Sequence, residues 1–396
     1  MARPLRVGVA GLGRAGAGML AALAVHPGVE VSAAADLHPE HLARFKADFE
    51  GETYDSVDAL CASPHVDAVY IATPHQFHEA HVIAAARAGK HIVVEKPMGL
   101  TVAECLAMTE AAEAAGVALI VGHTASFNPA VLRMRELIAS RQVGRLAMIS
   151  ATAHTDFLYR PRRPEELVTV LGGGIMYNQV PHQVDAARYV AGGMAASVRA
   201  VTYVLDPARP TEGAYAGLLT FEDGPVAVLS YAGYDHFDSS ELASGNARDA
   251  ARYGSARRAL TGVGSPDDEI ALRVDTGYGG GHPVASKGAQ MGGGSLLQPE
   301  LGSFLLTCER ADLRLLPDGV GVYGDDGFRL EPPAPWRGTP GRGNVLDELL
   351  GAVNDGAPVV HGGRWAAATM EVCLAMLGSA REGCEVVLRH QVPLGG

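Results

Sequence analysis

The chain reads as an α/β protein in two parts: a doubly wound parallel-sheet domain over residues 1–124, and an α+β domain with an open, mostly antiparallel sheet over residues 125–396. Three observations predict this. Up to residue 124, short runs rich in β-branched residues alternate with Ala-rich helical runs, the pattern of repeated βαβ units. From Leu146 onward, strand-like runs follow one another without helices between them, apart from one insertion. The length of 396 residues also exceeds the roughly 250–300 at which a single hydrophobic core stops growing.

Taken in order, Leu5–Ala10 is a buried strand that runs into Gly11-Leu12-Gly13-Arg14-Ala15-Gly16 and then a helix to about Val25. Glycines at that spacing, between a strand and a helix, let backbone amides approach a pyrophosphate at the helix N-terminus, with Arg14 and Ala15 in the same turn. A second strand, Val29–Ala35, ends at Asp36, 20 residues after Gly16. A carboxylate there accepts hydrogen bonds from the adenosine ribose and repels a 2′-phosphate, so NAD is expected. NADP is not excluded, because Arg14 and Arg44 are candidates to meet a phosphate, and the alternative role for Asp36 is to cap the helix near Pro39.

The alternation continues with strand Val66–Ala72, helix Gln76–Ala88, strand His91–Val94, helix Val102–Ala115 and strand Val117–Val121. This is the Rossmann arrangement. Thr73, Pro74 and His75, with His78 just beyond, follow a strand end and border the nicotinamide side of the crevice. In Val93-Val94-Glu95-Lys96-Pro97, Lys96 stands at the carboxyl end of a parallel strand, where open α/β sheets place their ligands. Glu95 borders the same crevice and is read as structural rather than catalytic.

In the second part, Asn128–Ser140 is an amphipathic helix with Asn128 as cap and Pro129 at its first position. Strands are expected at Leu146–Ala153, Ser197–Leu205, Ala214–Phe221 and Val226–Tyr234, the last two joined by the turn Glu222-Asp223-Gly224-Pro225. Between the first two strands lie Arg160-Pro161-Arg162-Arg163-Pro164 and a segment opening on Gly172-Gly173-Gly174. If that segment is helical throughout, Asn178, His182 and Asp185 share one face, with Pro181 bending it. Residues 238–300, with Gly279-Gly280-Gly281 and Gly292-Gly293-Gly294, read as a long, partly mobile excursion, a lid or an oligomer contact. Strands near Leu313–Leu316, Gly321–Tyr323 and Phe328–Leu330 and helices Val345–Val353 and Trp365–Arg381 complete the chain.

A net charge of −12 argues against a nucleic-acid partner, and no apolar run reaches membrane-spanning length. The five cysteines are scattered with no paired or metal-ligand spacing, and the first strand leaves no room for a leader peptide. No metal is therefore expected, and a cytoplasmic location is. Arg160, Arg162 and Arg163 form a dense cationic cluster. Guanidinium forks match carboxylates in a bidentate way, so an aromatic dicarboxylate would suit them, although Arg-Pro loops also occur at surfaces and subunit contacts. Tyr159 beside them is placed to flank a ring or to fill the core.

Gly11-x-Gly13-x-x-Gly16, Ala72-Thr73-Pro74, Glu95-Lys96-Pro97 and Gly172-Gly173-Gly174 followed by His182 and Asp185 together resemble the glucose-fructose oxidoreductase / inositol dehydrogenase (Gfo/Idh/MocA) family over nearly the whole chain. The resemblance implies hydride transfer between a nicotinamide and a secondary alcohol, and a second-domain sheet face that makes homodimers or homotetramers. Within the family, Phe157–Leu167, Asn178–Asp185 and Cys308–Arg314 are most similar to the phthalate 4,5-cis-dihydrodiol dehydrogenases, which implies oxidation of a cyclic cis-diol to a catechol bearing carboxylates.

The same resemblance makes His182 and Lys96 the catalytic pair. His182 is assigned as proton acceptor and Lys96 as the cation that stabilises alkoxide charge, with the reverse assignment open. Asn178 stands where the family usually carries an aspartate; it is read as a donor to a substrate hydroxyl, or as a polar residue of the helix face. Asp185 either fixes the His182 ring or pairs with Arg188. Two other functions compete: a polyol or sugar dehydrogenase, and a non-catalytic NAD sensor, for which keeping both Lys96 and His182 would have no use.

Overall fold

The computed structural model describes residues 3–122, 124–244, 255–275, 278 and 296–395. Its first sheet is six-stranded in the order β3-β2-β1-β4-β5-β6. The strands are β1 (Leu5–Ala10), β2 (Val29–Ala35), β3 (Glu52–Tyr54), β4 (Ala68–Ile71), β5 (His91–Val94) and β6 (Leu119–Val121). All its ladders are parallel. Helices α1 (Arg14–Leu23), α2 (Pro39–Phe49), α3 (Val57–Ala62), α4 (His78–Arg87) and α5 (Val102–Ala115) connect the strands. Covered on both faces, strands such as Ala68-Val69-Tyr70-Ile71 are apolar without alternation. Neither β3 nor α3 was expected, being a half-exposed strand of three residues and a helix of six, too short to show a period.

Register positions the site. Ala10 pairs with Ala35 on one side and Ile71 on the other, Ile71 with Val94, and Val94 with Val121. The residues that leave this row, Gly11, Asp36, Ala72, Glu95 and Gly122, therefore stand abreast at the carboxyl edge. The connections reverse direction between β1 and β4, which is the switch point where such sheets bind ligands.

The second sheet is nine-stranded, in the order β14-β13-β12-β11-β7-β10-β9-β8-β15. Its strands are β7 (Leu146–His154), β8 (Ala195–Tyr203), β9 (Ala214–Phe221), β10 (Val226–Ala232), β11 (Ser303–Cys308), β12 (Ala311–Leu316), β13 (Gly319–Gly324), β14 (Gly327–Glu331) and β15 (Val386–Val387). The β7–β10 ladder is parallel and the others are antiparallel. Along β10, Ala227, Leu229 and Tyr231 are buried while Val228 is exposed, the alternation of a sheet covered on one face. A fully buried Leu of this kind contributes roughly 1.5–3 kcal/mol. Helix α6 (Pro129–Ala139) opens this domain, capped by the Asn128 side chain on Ala130 N as its sequence suggested.

The glycine-led segment is two helices rather than one: α7 (Gly174–Asn178) and α8 (Val180–Ala191), separated at Gln179. Pro181 lacks the N–H that would continue the first helix into the second, and the break falls just ahead of it. Among its described residues the excursion holds three helices, α9 (Ser240–Ser244), α10 (Ser255–Leu260) and α11 (Pro266–Asp275). The triple-glycine runs expected to be mobile lie outside the described residues. The last helices are α12 (Arg342–Asp355) and α13 (Gly363–Glu382). While α13 packs against the second sheet, Val345, Leu346 and Leu349 of α12 are buried in one core with Leu5, Val7 and Leu20. A division at residue 124, which we propose on the two sheets, thus leaves α12 crossing back. No described helix is long and apolar enough to cross a membrane.

Candidate active site

The glycine turn has the shape a dinucleotide needs. Gly11 has φ +91°, and a Cβ there would meet Ala72 O at 2.7 Å. A Cβ on Gly16 would sit 1.9 Å from Gly11 O, so helix and strand close only without one. Around Gly13 a Cβ would meet nothing within 4 Å, leaving open space over the first amides of α1. These residues fit NAD, which when bound supplies the hydride acceptor. Asp36 does not cap α2, whose N-cap is His38 without a side-chain bond. It braces the turn instead, accepting from Leu12 N at 2.6 Å, His38 N at 2.9 Å and His38 Nδ1 at 2.8 Å. Burial alone would raise its pKa, but hydrogen bonds from His41, Leu12 and His38 hold the carboxyl well below the usual range.

Both ring nitrogens of His78 face backbone carbonyls. The residue is fully buried, with Nε2 on Thr73 O at 2.8 Å and Nδ1 on Pro97 O at 3.0 Å, and so ties the loop after β4 to the loop after β5. Thr73 Oγ1 bonds His81 Nδ1 at 2.8 Å. The Glu95 carboxylate is also committed, to Tyr70 Oη and to Lys96 N at 3.2 Å. Pro74 and His75 lie at the crevice edge, half-buried, where His75 faces Gly172 of the second domain. The Lys96–Pro97 peptide is cis.

Lys96 Nζ crosses to the second domain and donates to Asn178 O at 2.8 Å. The helix break makes this possible. In an unbroken helix Asn178 O would accept from His182 N; here His182 N bonds Gln179 O at 3.1 Å, and the Asn178 carbonyl is left for Lys96 and for Gln179 Nε2 at 3.0 Å. His182 follows within the first turn of α8, buried and close enough that the Lys96 charge, after burial, pushes its pKa well below the ordinary value. Burial also lowers Lys96, with Arg162 and Arg160 acting in the same direction and Glu95 and Glu300 opposing. A neutral imidazole beside an ammonium is the arrangement for taking a hydroxyl proton while stabilising the alkoxide.

Asn178 departs from its expected role. Its amide nitrogen donates to Gly172 O at 3.0 Å and Gly174 O at 2.8 Å, so both hydrogens hold the glycine turn rather than a substrate. Asp185 neither fixes His182 nor pairs with Arg188. It accepts from Ser126 N at 3.2 Å, from Ser126 Oγ, and from Trp365 Nε1 at 2.6 Å, pinning α8 to the segment after β6.

The arginines separate. Arg160 pairs with Asp156 at 2.9 Å. Arg162 is buried, lies over the Phe157 ring at 3.9 Å, and donates through Nη2 to Phe157 O at 2.8 Å, while its Nε has no hydrogen-bond partner among the described residues. Burial, then repulsion from Arg160, Arg273 and Arg14 against the attraction of Glu166, brings its pKa down to about 9. Arg163 turns to Glu165 at 3.3 Å and Glu166 at 3.7 Å. Tyr159 faces away, its hydroxyl on Asp206 at 2.6 Å under the Arg257 guanidinium, so it belongs to the core and not to a ring-binding surface. The sequence reading missed Glu269 and Arg273. Their four-residue spacing behind Ser265-Pro266 was a helix signal hidden in a Gly- and Ser-rich stretch.

Residues 5–123 match the model of the GFO_IDH_MocA oxidoreductase family, an NAD-binding Rossmann fold, and residues 131–242 match the GFO/IDH/MocA C-terminal domain. The chain belongs to this family, and is an oxidoreductase acting on CH–OH groups with NAD as cofactor. It is 38% identical over 388 residues, 94% of each chain, to the 1-carboxy-3-chloro-3,4-dihydroxycyclohexa-1,5-diene dehydrogenase of Comamonas testosteroni. Among solved structures, a dehydrogenase of Bordetella bronchiseptica RB50 is similar with TM-score 0.90 and 42% identity, covering 98% of this chain and 100% of that one. Levoglucosan dehydrogenase, solved with NADH and levoglucosan, shares the fold with TM-score 0.73 at 19% identity, covering 98% of this chain and 100% of that one.

Proposed function

We propose that the protein oxidises a carboxylated cis-dihydroxycyclohexadiene, of which a phthalate cis-4,5-dihydrodiol is the type, to the corresponding dihydroxy aromatic acid. What supports the reading is that the Lys96 charge acts on His182 and the charges of Arg162 and Arg160 act on Lys96, whose Nζ is held on Asn178 O. His182 takes the proton of one ring hydroxyl, and NAD, when bound, would accept the hydride from the carbon that bears that hydroxyl. The hydroxyketone so formed tautomerises to the catechol, the remaining carbinol carbon giving up its proton and the carbonyl oxygen taking one, and aromaticity draws the reaction forward. The relative from Comamonas testosteroni is named for a carboxylated, chlorinated diol of this ring type, which supports the substrate class.

The test is a substrate panel read by reduced-nicotinamide absorbance. The proposal expects NADH from a carboxylated cis-dihydrodiol with kcat/KM at least about tenfold above that for myo-inositol or a simple sugar, since a missing charge-assisted contact of about 1.5–3 kcal/mol gives a factor of roughly 10 to 150. Turnover of inositol or sugars with no NADH from the dihydrodiol rejects it in favour of a polyol dehydrogenase.

A further inference from the structure

We propose that α11, inside the insertion between β10 and β11, is the element that makes the site selective for anions, with Arg162 as the carboxylate ligand and Glu269 and Arg273 as positioning residues. This rests on the substrate class proposed above and goes beyond it by assigning the selectivity to a segment that belongs to neither sheet.

Glu269 is buried, and its carboxylate is the hub of the cluster. Oε1 accepts from Arg162 N at 2.6 Å and Arg209 Nη1 at 2.7 Å, and Oε2 accepts from Arg209 Nη2 at 3.0 Å. A bidentate Arg–carboxylate pair at this depth is held in one geometry, so the backbone of Arg162 is fixed from outside its own loop. One turn on, Arg273 Nη1 reaches Glu166 Oε2 at 2.8 Å and Pro161 O at 3.2 Å. The helix thus grips the Arg160–Pro164 loop at both ends.

Among the described residues the Arg162 side chain is paired with no carboxylate, whereas Arg160 and Arg163 of the same loop are. The charge of Arg273 acts on Arg162, on Arg14 of the glycine turn and on His75, and weakens the hold of each on its proton. Burial and that repulsion weaken the hold of Arg162 on its proton, and its buried Nε has no partner among the described residues. An arriving carboxylate would relieve the repulsion and supply the missing acceptor. Facing the cluster are Lys96, His75 and Arg14 from the first domain, and Asp156, Glu166 and Glu300 from the second. Asp156 is paired with Arg160 and Glu166 with Arg273, so neither fills the place of a substrate carboxylate.

The experiment compares a carboxylated cis-dihydrodiol with its neutral methyl ester, in the wild type and in Arg273→Met, Arg273→Lys and Glu269→Gln. NADH binding by fluorescence titration serves as the check of folding. The wild type should prefer the acid. Arg273→Met and Glu269→Gln should each cut that preference at least tenfold, through KM for the acid, with NADH affinity within twofold, and Arg273→Lys should restore part of it. A wild type indifferent to the ester overturns the substrate class and this inference together. A wild type that prefers the acid while Arg273→Met and Glu269→Gln keep the full preference overturns the inference alone.

Discussion

At the scale of single residues, the departure from the family pattern at Asn178 has a local cause. Gly172 O and Gly174 O both point at its side chain, and two carbonyls need two N–H donors, which an amide has and a carboxylate lacks. We expect Asn178→Asp to lower stability by about 1–3 kcal/mol, the cost of leaving buried acceptors unpaired. The same change puts a negative charge near His182, raising its depressed pKa, so the acid limb of the kcat/KM–pH profile should move to higher pH. Thermal unfolding and a pH–rate profile check the two halves, and an unmoved acid limb would show that His182 is not the group titrating. Legibility was uneven at this scale. Lys96 and His182 stood out because their motifs fix them; the commitments of Tyr159, His78 and Asn178 did not, because a polar group's partner is set by packing between distant segments.

At the scale of elements, the break between α7 and α8 is the feature that links the two domains. Pro181 was readable as a bend, but not that the bend would free a carbonyl for Lys96, which depends on a lysine 82 positions away. Pro181→Ala restores the missing N–H and allows the helix to run through Gln179. His182 N would then compete with Lys96 for Asn178 O, so kcat should fall several-fold with NADH affinity unchanged. Steady-state rates beside a fluorescence titration measure both, and an unaltered kcat would sink the idea that the break matters. The strands of the first sheet were legible because burial on both faces leaves long apolar runs, as in His91–Val94. α11 was not, since three acidic residues in its first turn and a flanking Gly- and Ser-rich stretch mask its period.

At the scale of the whole molecule, the two domains are joined by a buried ion pair. His361, just before α13, binds Glu348 of α12 at 2.7 Å, stacks on Phe127 with ring centroids 3.8 Å apart, and gives its carbonyl to Val121 N at 2.9 Å. Burial would lower the imidazole, but Glu348 raises it, while His361 and its backbone amide hold the buried Glu348 below its usual value. The signs are opposite. The Glu348 contribution is present above its unfolded pKa near 4.5 and is lost as pH falls through the lowered folded value. That of His361 is present below 6.5 and is lost as pH rises through the raised one. The melting-temperature difference between wild type and Glu348→Gln should therefore be largest between about pH 5 and 7. A difference constant from acid to alkaline pH would mean that the pair does not titrate with folding. The two-sheet architecture was legible from the alternation and its loss after Leu146. The return of α12 to the first core was not, because nothing in an amphipathic helix names the surface it will cover.

The central claim is that an ammonium from one domain and an imidazole from the other act together on one hydroxyl, and it is tested most directly by Lys96→Met. With NAD and a carboxylated cis-dihydrodiol, single-turnover NADH formation should fall by about 10²–10⁴, the range for removal of one group that stabilises charge or moves a proton, while NADH still binds within severalfold. Single-turnover NADH formation that stays within tenfold of the wild type, with NADH bound normally, would contradict it.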